Sequence, residues 1–271
     1  MSLPSPTDLS DAPAGELRHA YGDDVHLVDN LFLRSALKKL STAQTRLPQT
    51  LELLRSVYGA IFAAAAEEFP RCESQVSTRM AADHPEAAVL SGEVFDPNAN
   101  FVVCDLLRAG LVPSQLIFER LLSVLPDERV RLDHLNLSRI SDTKGRVTGV
   151  DLAGSKIGGS VEGATLIIPD PMGATGSTLV RAIEHYRKHH GKPRRVVVLP
   201  MICTPEFLRR VLDSVEDVVI YAARLDRGLS PADVLETSPG THWERERGLN
   251  ERSYIVPGAG GMGEVLNNSW C

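Results

Sequence analysis

Apolar residues recur along the chain with two different periods, and the period changes near residue 100. Between residues 30 and 66 they return every three or four positions, in one stripe over 31–40 and a second over 51–62. This spacing places the side chains on one face of a helix. The pattern therefore predicts two N-terminal helices ahead of the first strand of a sheet. It assigns no element to residues 71–100.

Beyond residue 100, short apolar runs alternate with helical segments. The runs are NFVVCDLL, VRLDHLNLSRI, ATLIIP, RRVVVLPM and VVIYAARL, which have the length and β-branched content of strands. Helical patterns lie between most of them, and Thr204 followed by Pro205 is a start signal for one helix. This alternation predicts an α/β protein with a mostly parallel central sheet flanked by helices. The polar, glycine-rich stretch 141–163 predicts a hairpin or flap.

Composition is typical of a soluble globular protein. Of the 271 residues, 43% are hydrophobic and 24% are charged. The net charge of -6 and the pI near 5.8 argue against nucleic acid or an acidic membrane as the main partner. No apolar run is long enough to span a membrane, and the first residues lack a signal-peptide layout. We therefore expect a cytoplasmic protein that binds neither nucleic acid nor membrane.

Two further features bear on domain organisation and metals. The four cysteines lie far apart without a CxxC pair, so they are expected to be reduced thiols and not disulfides or zinc ligands. No metal site made of protein ligands alone is predicted. The polar, proline-rich residues 1–20 predict a flexible extension, and residues 21–271 predict a single domain.

The segment LIIPDPMGATGST at 166–178 indicates a binding site. An apolar run ends at Asp170, small and hydroxyl residues follow, and a helical pattern begins directly after them. Glycines let backbone N–H groups approach an anion where a helix N-terminus favours negative charge, and the Asp170 carboxylate can accept hydrogen bonds from sugar hydroxyls. The spacing fits neither a P-loop nor a dinucleotide fingerprint. The segment therefore predicts a sugar-phosphate site.

Two other segments add to this site. LLRAGL at 106–111 stands where a strand gives way to a helix, and its Arg108 offers a permanently charged fork suited to a diphosphate. Near the C-terminus, YIVPGAGGMGE begins at Tyr254 and combines proline with several glycines. Fixed backbone groups in such a turn can match the polar edge of a base without loss of side-chain entropy.

These three segments resemble, in order, motifs of uracil phosphoribosyltransferases, a family of type I phosphoribosyltransferases. DPMGATGS resembles the family's DPMLATGGS, LLRAGL its LRAGL, and LNERSYIVPGAGGMGE its LNExGYIVPGLGDAGD. Weaker matches are TPEF at 204–207 to APEG and YAARLD at 221–226 to YTASID. The resemblance implies the type I phosphoribosyltransferase fold with N-terminal helices and a C-terminal base-binding hood.

The resemblance also implies an activity and its site residues. The expected reaction joins 5-phosphoribosyl diphosphate (PRPP) to N1 of uracil, with Mg²⁺ bound mainly through the diphosphate, in a homodimer or larger homo-oligomer. Arg108 and Asp170 are the expected catalytic residues. The expected PRPP-binding residues are Arg108, Ala109, Gly110, Arg139, Asp170, Pro171, Met172, Gly173, Ala174, Thr175, Gly176, Ser177 and Thr178. The expected base-binding residues are Tyr254, Ile255, Val256, Pro257, Gly258, Gly260, Gly261 and Met262. Lys156 is a further candidate phosphate contact.

Several positions depart from the family motifs. Gly261 stands where an aspartate is expected, Met262 where an alanine is expected, and Glu264 where a second aspartate is expected. In the sugar-phosphate segment, Gly173 replaces leucine and Ser177 replaces glycine. An insertion at about 227–248 precedes the base segment, and it is interpreted as a lid, a subunit contact or a surface loop.

The departures leave three alternatives open. Gly261 and Met262 favour a phosphoribosyltransferase that acts on a different acceptor base, because they alter the expected pocket. The missing aspartate at 261 also fits a PRPP-binding regulatory protein without turnover. A structural α/β protein with chance similarity in its loops is the last alternative, and the order of the three motifs argues against it.

Overall fold

The computed structural model describes residues 15–141, 147–151 and 154–269. The helices in chain order are α1 (Leu31–Leu40), α2 (Leu47–Ala65), α3 (Leu111–Leu122), α4 (Ser177–His189), α5 (Pro205–Ser214), α6 (Ala232–Leu235) and α7 (Met262–Asn267). The strands are β1 (Val25–Leu27), β2 (Arg71–Ser77), β3 (Val89–Phe95), β4 (Phe101–Leu106), β5 (Val130–Leu135), β6 (Ser138–Ser141), β7 (Val147–Asp151), β8 (Thr165–Gly173), β9 (Arg195–Cys203), β10 (Val218–Ala222) and β11 (Arg224–Leu225).

A parallel sheet forms the centre of the molecule. Its strand order is β1-β10-β9-β8-β4-β5, with β11 paired to the end of β9, and every pair in it is parallel. Its central strands β4, β8 and β9 are buried along almost their whole length, as strands covered by helices on both faces must be. The predicted α/β class with a mostly parallel sheet is confirmed.

Each face of the sheet has its own hydrophobic core. On one face, side chains of α1, α2, α3 and α7 pack with alternate residues of the strands, including Val103, Ile167 and Val197. On the other face, α4 and α5 pack against the intervening residues, among them Cys104 and Ile168. The layers are therefore helix, sheet and helix, and the carboxyl ends of the strands are left open at one edge.

The strand order creates a crevice at that edge. From β4 the chain crosses to β5 on one side, whereas β8 lies on the other side of β4 and leads away through β9 and β10. The carboxyl ends of β4 and β8 therefore flank a topological switch point, where ligands bind in open α/β sheets. Two loops enter this crevice: the arginine loop (residues 107–110) after β4, and the phosphate loop (residues 173–178) after β8.

The structure contains elements that the hydrophobic pattern did not predict. Strand β1 precedes both N-terminal helices and pairs with β10, and an antiparallel hairpin of β2 and β3 occupies the unassigned region. Along β2 and β3 most residues are exposed, so no alternation of apolar and polar residues marks them. The run VRLDHLNLSRI was predicted as one strand, but it divides into β5 of the central sheet and β6, which pairs with β7 in a separate hairpin. The hairpin thus begins at Ser138, before the expected range 141–163.

Residues 16–20 are hydrogen-bonded to the body of the protein. Glu16 forms an antiparallel bridge with Val28, the Leu17 N–H donates to the Leu27 carbonyl, and the Ala20 N–H donates to the Pro239 carbonyl. The predicted flexible extension was bounded at residue 20, but the chain is already paired from residue 16. The rest of that extension, residues 1–14, lies outside the described residues.

The insertion packs against the body of the protein. Its residue Trp243 donates from Nε1 to the Pro205 carbonyl at 3.0 Å, and the Tyr21 ring meets the indole edge-on. The carboxylate of Glu246, fully buried, accepts from the Tyr21 hydroxyl and lies 2.8 Å from Arg227 Nη1. The insertion thus joins the N-terminal segment to the start of α5.

Within the described residues, no helix has both the length and the apolar content that crossing a bilayer requires.

Candidate active site

The phosphate loop brings backbone N–H groups to the crevice. Two of them have partners within the loop, because the Ala174 N–H donates to the Met172 carbonyl at 2.9 Å and the Ser177 N–H to the Thr175 hydroxyl at 3.4 Å. Gly176 is the N-cap of α4 and has a left-handed φ of 73°. As a glycine it has no side chain to cap the helix, and the first turn of α4 contains no acidic residue. A β-branched or bulky residue would be strained at that φ, which accounts for glycine. The Thr175 and Ser177 hydroxyls lie 3.2 Å apart and belong to the same loop. An uncapped helix N-terminus with hydroxyls beside it is suited to a phosphate.

Two departures from the family motifs meet at this loop. Gly173 stands where the motif has leucine, and Phe207 of α5 stands where APEG has glycine. A Cβ at position 173 would lie 3.1 to 3.2 Å from the Phe207 ring. The ring therefore fills the space beside Gly173, and a larger side chain there would have to displace it. The loss of a large side chain at position 173 is thus matched by the gain of one at position 207, on the other side of the contact.

Asp170 lies in the last part of β8, partly buried at the edge of the crevice. Its Oδ1 accepts a hydrogen bond from the Met172 N–H at 3.0 Å. Burial raises the pKa of Asp170 to about 6, although this hydrogen bond favours the ionised form and opposes the rise. The carboxylate is thus mostly ionised at pH 7 and can accept hydrogen bonds from a sugar.

The arginine loop turns sharply into α3. The Leu107–Arg108 peptide is cis, and the Arg108 side chain is half-exposed. Gly110 is the N-cap of α3, without a side-chain cap, and no acid lies in the first turn. A Cβ at position 110 would approach the Leu106 backbone to 2.8 Å, which explains the glycine. Two uncapped helix N-termini therefore border the same crevice.

A buried ion pair holds the C-terminal turn (residues 254–261). Asp226 is 2% exposed, and its two carboxylate oxygens lie 2.7 and 2.8 Å from nitrogens of the Arg224 guanidinium. The Gly258 N–H donates to Asp226 at 2.7 Å, and the Gly258 carbonyl accepts from Arg224 at 2.9 Å. The turn is therefore bound to the sheet edge through both backbone groups of one glycine.

The first turn of α5 holds the chain that enters the C-terminal turn. Both carboxylate oxygens of Glu206 accept from the Gly248 N–H at 3.0 Å, and one also accepts from the Leu249 N–H at 3.2 Å. A Cβ on Gly248 would overlap the Asp226 carbonyl oxygen, so glycine is required at that contact. The weaker motif TPEF thus contains a residue, Glu206, that sequence analysis did not assign to the site.

Most backbone groups of the YIVPG segment are already used inside the protein. The Tyr254 N–H and carbonyl bond to Asn250, the Val256 N–H donates to the Gly248 carbonyl, and Gly258 is held as described above. Among the described residues, none accepts a hydrogen bond from the N–H groups of residues 259–261. These three N–H groups are therefore available to a ligand.

The side chains of the predicted base-binding residues lie in different surroundings. Tyr254 is 60% exposed, whereas Ile255 and Met262 are buried in the core beneath α2. The Met262 side chain therefore packs inside the protein and does not narrow the crevice. Arg139 lies in β6, and Lys156 bridges through its backbone to His134 on β5. Asp226 and Arg224 were part of the YAARLD match but were not predicted as site residues.

Comparison with known proteins places the chain in the family that its motifs resemble, and the matched range contains two of the three motifs, at 106–111 and 170–177. A sequence model of the family described as uracil phosphoribosyltransferase matches residues 27–241. The uracil phosphoribosyltransferase of Dictyoglomus thermophilum is 28% identical over 242 residues, which cover 89% of this chain and 98% of that protein. The protein of the same name from Thermococcus gammatolerans is 28% identical over 167 residues, covering 61% of this chain and 60% of its own length. The present chain thus spans less than two thirds of that archaeal relative.

A solved structure supports the fold. The AQ2163 protein from Aquifex aeolicus is 21% identical, with a TM-score of 0.65 over 89% of this chain and 97% of that protein. The family model extends from β1 into the insertion and includes both the arginine loop and the phosphate loop. The chain therefore belongs to the uracil phosphoribosyltransferase family.

Proposed function

We propose that this protein transfers the 5-phosphoribosyl group of PRPP to N1 of uracil, giving UMP and diphosphate. The observation that carries this proposal is the pair of uncapped helix N-termini, at Gly110 and Gly176, on either side of one crevice. PRPP carries two separate anionic groups, a 5-phosphate and a diphosphate, and each helix N-terminus suits one of them.

The donor residues have distinct roles in this proposal. Residues 174–178 bind the 5-phosphate through N–H groups and hydroxyls, and Asp170 accepts hydrogen bonds from the ribose hydroxyls. Arg108 and the Ala109 N–H bind the diphosphate, whereas the predicted contact from Gly110 is left out of this proposal because its N–H already donates to the Leu106 carbonyl at 3.0 Å. The remaining predicted PRPP contacts stay predictions: Arg139, Pro171, Met172 and Gly173. Two of them also support the loop, because the Met172 N–H donates to Asp170 and Gly173 leaves room for the Phe207 ring.

Catalysis then consists mainly of positioning and of stabilising the departing group. The bond from ribose C1 to the diphosphate oxygen breaks with its electron pair, and Arg108 and the N-terminus of α3 meet the charge that develops. Mg²⁺ is expected to be bound mainly by the diphosphate oxygens of PRPP, and the carboxylate of Asp170 is a hard oxygen donor that fits such an ion. When bound, it neutralises part of the diphosphate charge.

The acceptor base is proposed to lie against the C-terminal turn. The free N–H groups of residues 259–261 face no protein acceptor among the described residues, so they can donate to carbonyl oxygens of a pyrimidine. Their positions are fixed because Arg224 and Asp226 hold the adjacent Gly258. The predicted backbone contacts, assigned to residues between Tyr254 and Met262, are narrowed in this proposal to the N–H groups of residues 259–261.

The proposal is tested by product formation. The purified protein is incubated with PRPP, Mg²⁺ and uracil, and UMP and diphosphate are quantified, with cytosine, orotate and hypoxanthine as competing acceptors. We expect uracil-dependent diphosphate release that is lost in Asp170→Asn. Product with another base but not with uracil would support the alternative acceptor suggested by Gly261. Tight PRPP binding without product from any base would support the regulatory alternative.

We further propose a homodimer or larger homo-oligomer in the cytoplasm. The support is the hairpin of β2 and β3, on which Val76, Leu90 and Val94 are about half exposed or more. A two-stranded hairpin with exposed apolar residues is marginal in water and is stabilised when a partner covers it. Light scattering after size exclusion should give at least twice the mass of 29.5 kDa. Val94→Lys should shift the protein toward the monomer.

A further inference from the structure

The acidic side chain of Glu264 occupies the space of a residue that the chain lacks. The family motif places an aspartate at position 261, where this chain has glycine. A Cβ built on Gly261 would overlap Oε2 of Glu264. The backbone at Gly261 has a φ of -77°, which any residue can adopt, so the glycine is not required by backbone conformation. The carboxylate of Glu264 instead folds back into the space that a side chain at this position would occupy.

The same carboxylate also borders the arginine loop. Its Oε1 lies 3.6 Å from Nη2 of Arg108, and the side chain is 36% exposed. A Cβ on Gly263 would lie 3.9 Å from that of Ala109, so the start of α7 is packed on the loop. Glu264 therefore stands between the proposed diphosphate contact and the free N–H groups at residues 259–261.

Local structure explains how the longer side chain reaches this position. Glu264 is the third residue of α7, whose N-cap is Gly261, and its N–H donates to the Gly261 carbonyl at 3.1 Å. A glutamate at the third helical position points back toward its N-cap. Because Glu264 follows Gly261 by three residues, about one helical turn, and its side chain is one methylene longer than that of aspartate, its carboxylate reaches the space beside position 261.

We propose that Glu264 supplies, from α7, the carboxylate that the family motif supplies from position 261. This inference rests on the proposed function and adds a catalytic residue to it. As the bond from N1 of the base to ribose C1 forms, the bond from C1 to the diphosphate oxygen breaks and its electron pair leaves with the diphosphate. The N1 proton passes to the Glu264 carboxylate and then to solvent. Arg108, the partner of Glu264 in the free protein, turns to the diphosphate.

The experiment moves the carboxylate between the two positions. Glu264→Gln keeps the shape of the side chain but removes its charge, and Gly261→Asp combined with Glu264→Ala restores a carboxylate at the motif position. Glu264→Ala is the reference for that double variant, and Glu251→Gln, an exposed acid nearby, is the matched control. For each variant, kcat and KM for uracil and PRPP are measured, together with PRPP affinity and the unfolding midpoint.

We expect Glu264→Gln to lower kcat about 100-fold, the lower end of acid–base effects, while PRPP affinity and the unfolding midpoint stay unchanged or rise. The kcat of the double variant should exceed that of Glu264→Ala by at least about tenfold, because the double variant has a carboxylate at position 261. Wild-type kcat in Glu264→Gln, or no recovery in the double variant, would overturn this inference while leaving the proposed function intact. Absence of nucleotide from the wild-type protein with every pyrimidine would overturn both.

Discussion

At the scale of single residues, the site combines glycines that create space with side chains that fill it. Phe207 fills the space at Gly173, and Glu264 fills the space at Gly261. In the motifs alone, each of these two glycines appeared only as the loss of a side chain, without a residue that replaces it. Contacts between residues 34 positions apart in the chain, such as Gly173 and Phe207, depend on how α5 packs on β8, and no local pattern in the sequence reports that packing.

The pairing of Gly173 with Phe207 predicts non-additive stability. Gly173→Leu should destabilise by about 1–3 kcal/mol, because the added side chain meets the ring. Phe207→Ala should cost about 3–5 kcal/mol through the cavity that it leaves. In the double variant the leucine enters that cavity, so the sum of the two losses should exceed the measured loss by about 1 kcal/mol or more. Urea unfolding of all four proteins measures this, and additive losses would contradict the contact.

Asp170 predicts a pH-dependent conflict between binding and stability. The pKa of Asp170 in the folded state, about 6, lies above the ordinary 3.8, because burial disfavours the ionised carboxylate. The stability that the protonated carboxyl gives to the folded state is therefore fully present below about pH 4 and is lost as the pH rises through 6. Asp170→Asn should therefore be more stable than the wild type at pH 8, by about 1–2 kcal/mol. The difference should shrink between pH 6 and pH 4. Urea midpoints across this range provide the measurement, and lower stability of the variant at pH 8 would refute the prediction.

At the scale of secondary structure, the long buried elements were predictable and the short or exposed ones were not. Strands β4, β8 and β9 are continuous apolar runs, because both faces are covered. Strand β1 is only three residues long and exists through its pairing with β10. Helix α7 begins within a segment that has four glycines in seven positions, 258–264, a composition that argues for loop. Its formation depends instead on Met262 and Leu266 entering the core.

The first turn of α5 predicts an effect specific to the base. Glu206→Gln weakens the acceptor that holds the N–H groups of Gly248 and Leu249, so the C-terminal turn loses part of its support. We expect KM for uracil to rise by about 3- to 10-fold, equivalent to roughly 1 kcal/mol, while KM for PRPP is unchanged. The exposed Glu236→Gln in the insertion is the control. Equal increases in both KM values would show that the turn is not separately supported.

At the scale of the whole molecule, the insertion has a role that its sequence did not reveal. It was interpreted as a lid, a subunit contact or a surface loop. The indole is fixed between Pro205 and Tyr21, so the segment braces the fold between the N-terminal chain and α5. The three partners are far apart in the chain, which is why local patterns could not show it.

Because the insertion braces the fold in this way, replacing the buried Glu246 should cause a large loss of stability. Glu246 is fully buried and pairs with Arg227, and it also accepts from the Gly240 N–H at 2.9 Å. Glu246→Ala leaves a mostly buried guanidinium without its carboxylate, so we expect a loss of about 3–5 kcal/mol. Glu244→Ala, at an exposed side chain two residues earlier, should change stability by less than about 0.5 kcal/mol. Calorimetry of the two variants is the measurement, and equal melting temperatures would contradict the bracing role.

The two uncapped helix N-termini link substrate supply to the survival of the folded chain. Phosphate groups that bind there contact an arrangement of N–H groups that exists only after β4, α3, β8 and α4 have assembled. At a free ligand concentration 100 times the dissociation constant, such selective binding adds about 2.7 kcal/mol to the free energy of unfolding. The lifetime of this protein in a cell, and not only its rate of turnover, should therefore follow the concentration of the anion that fills the crevice.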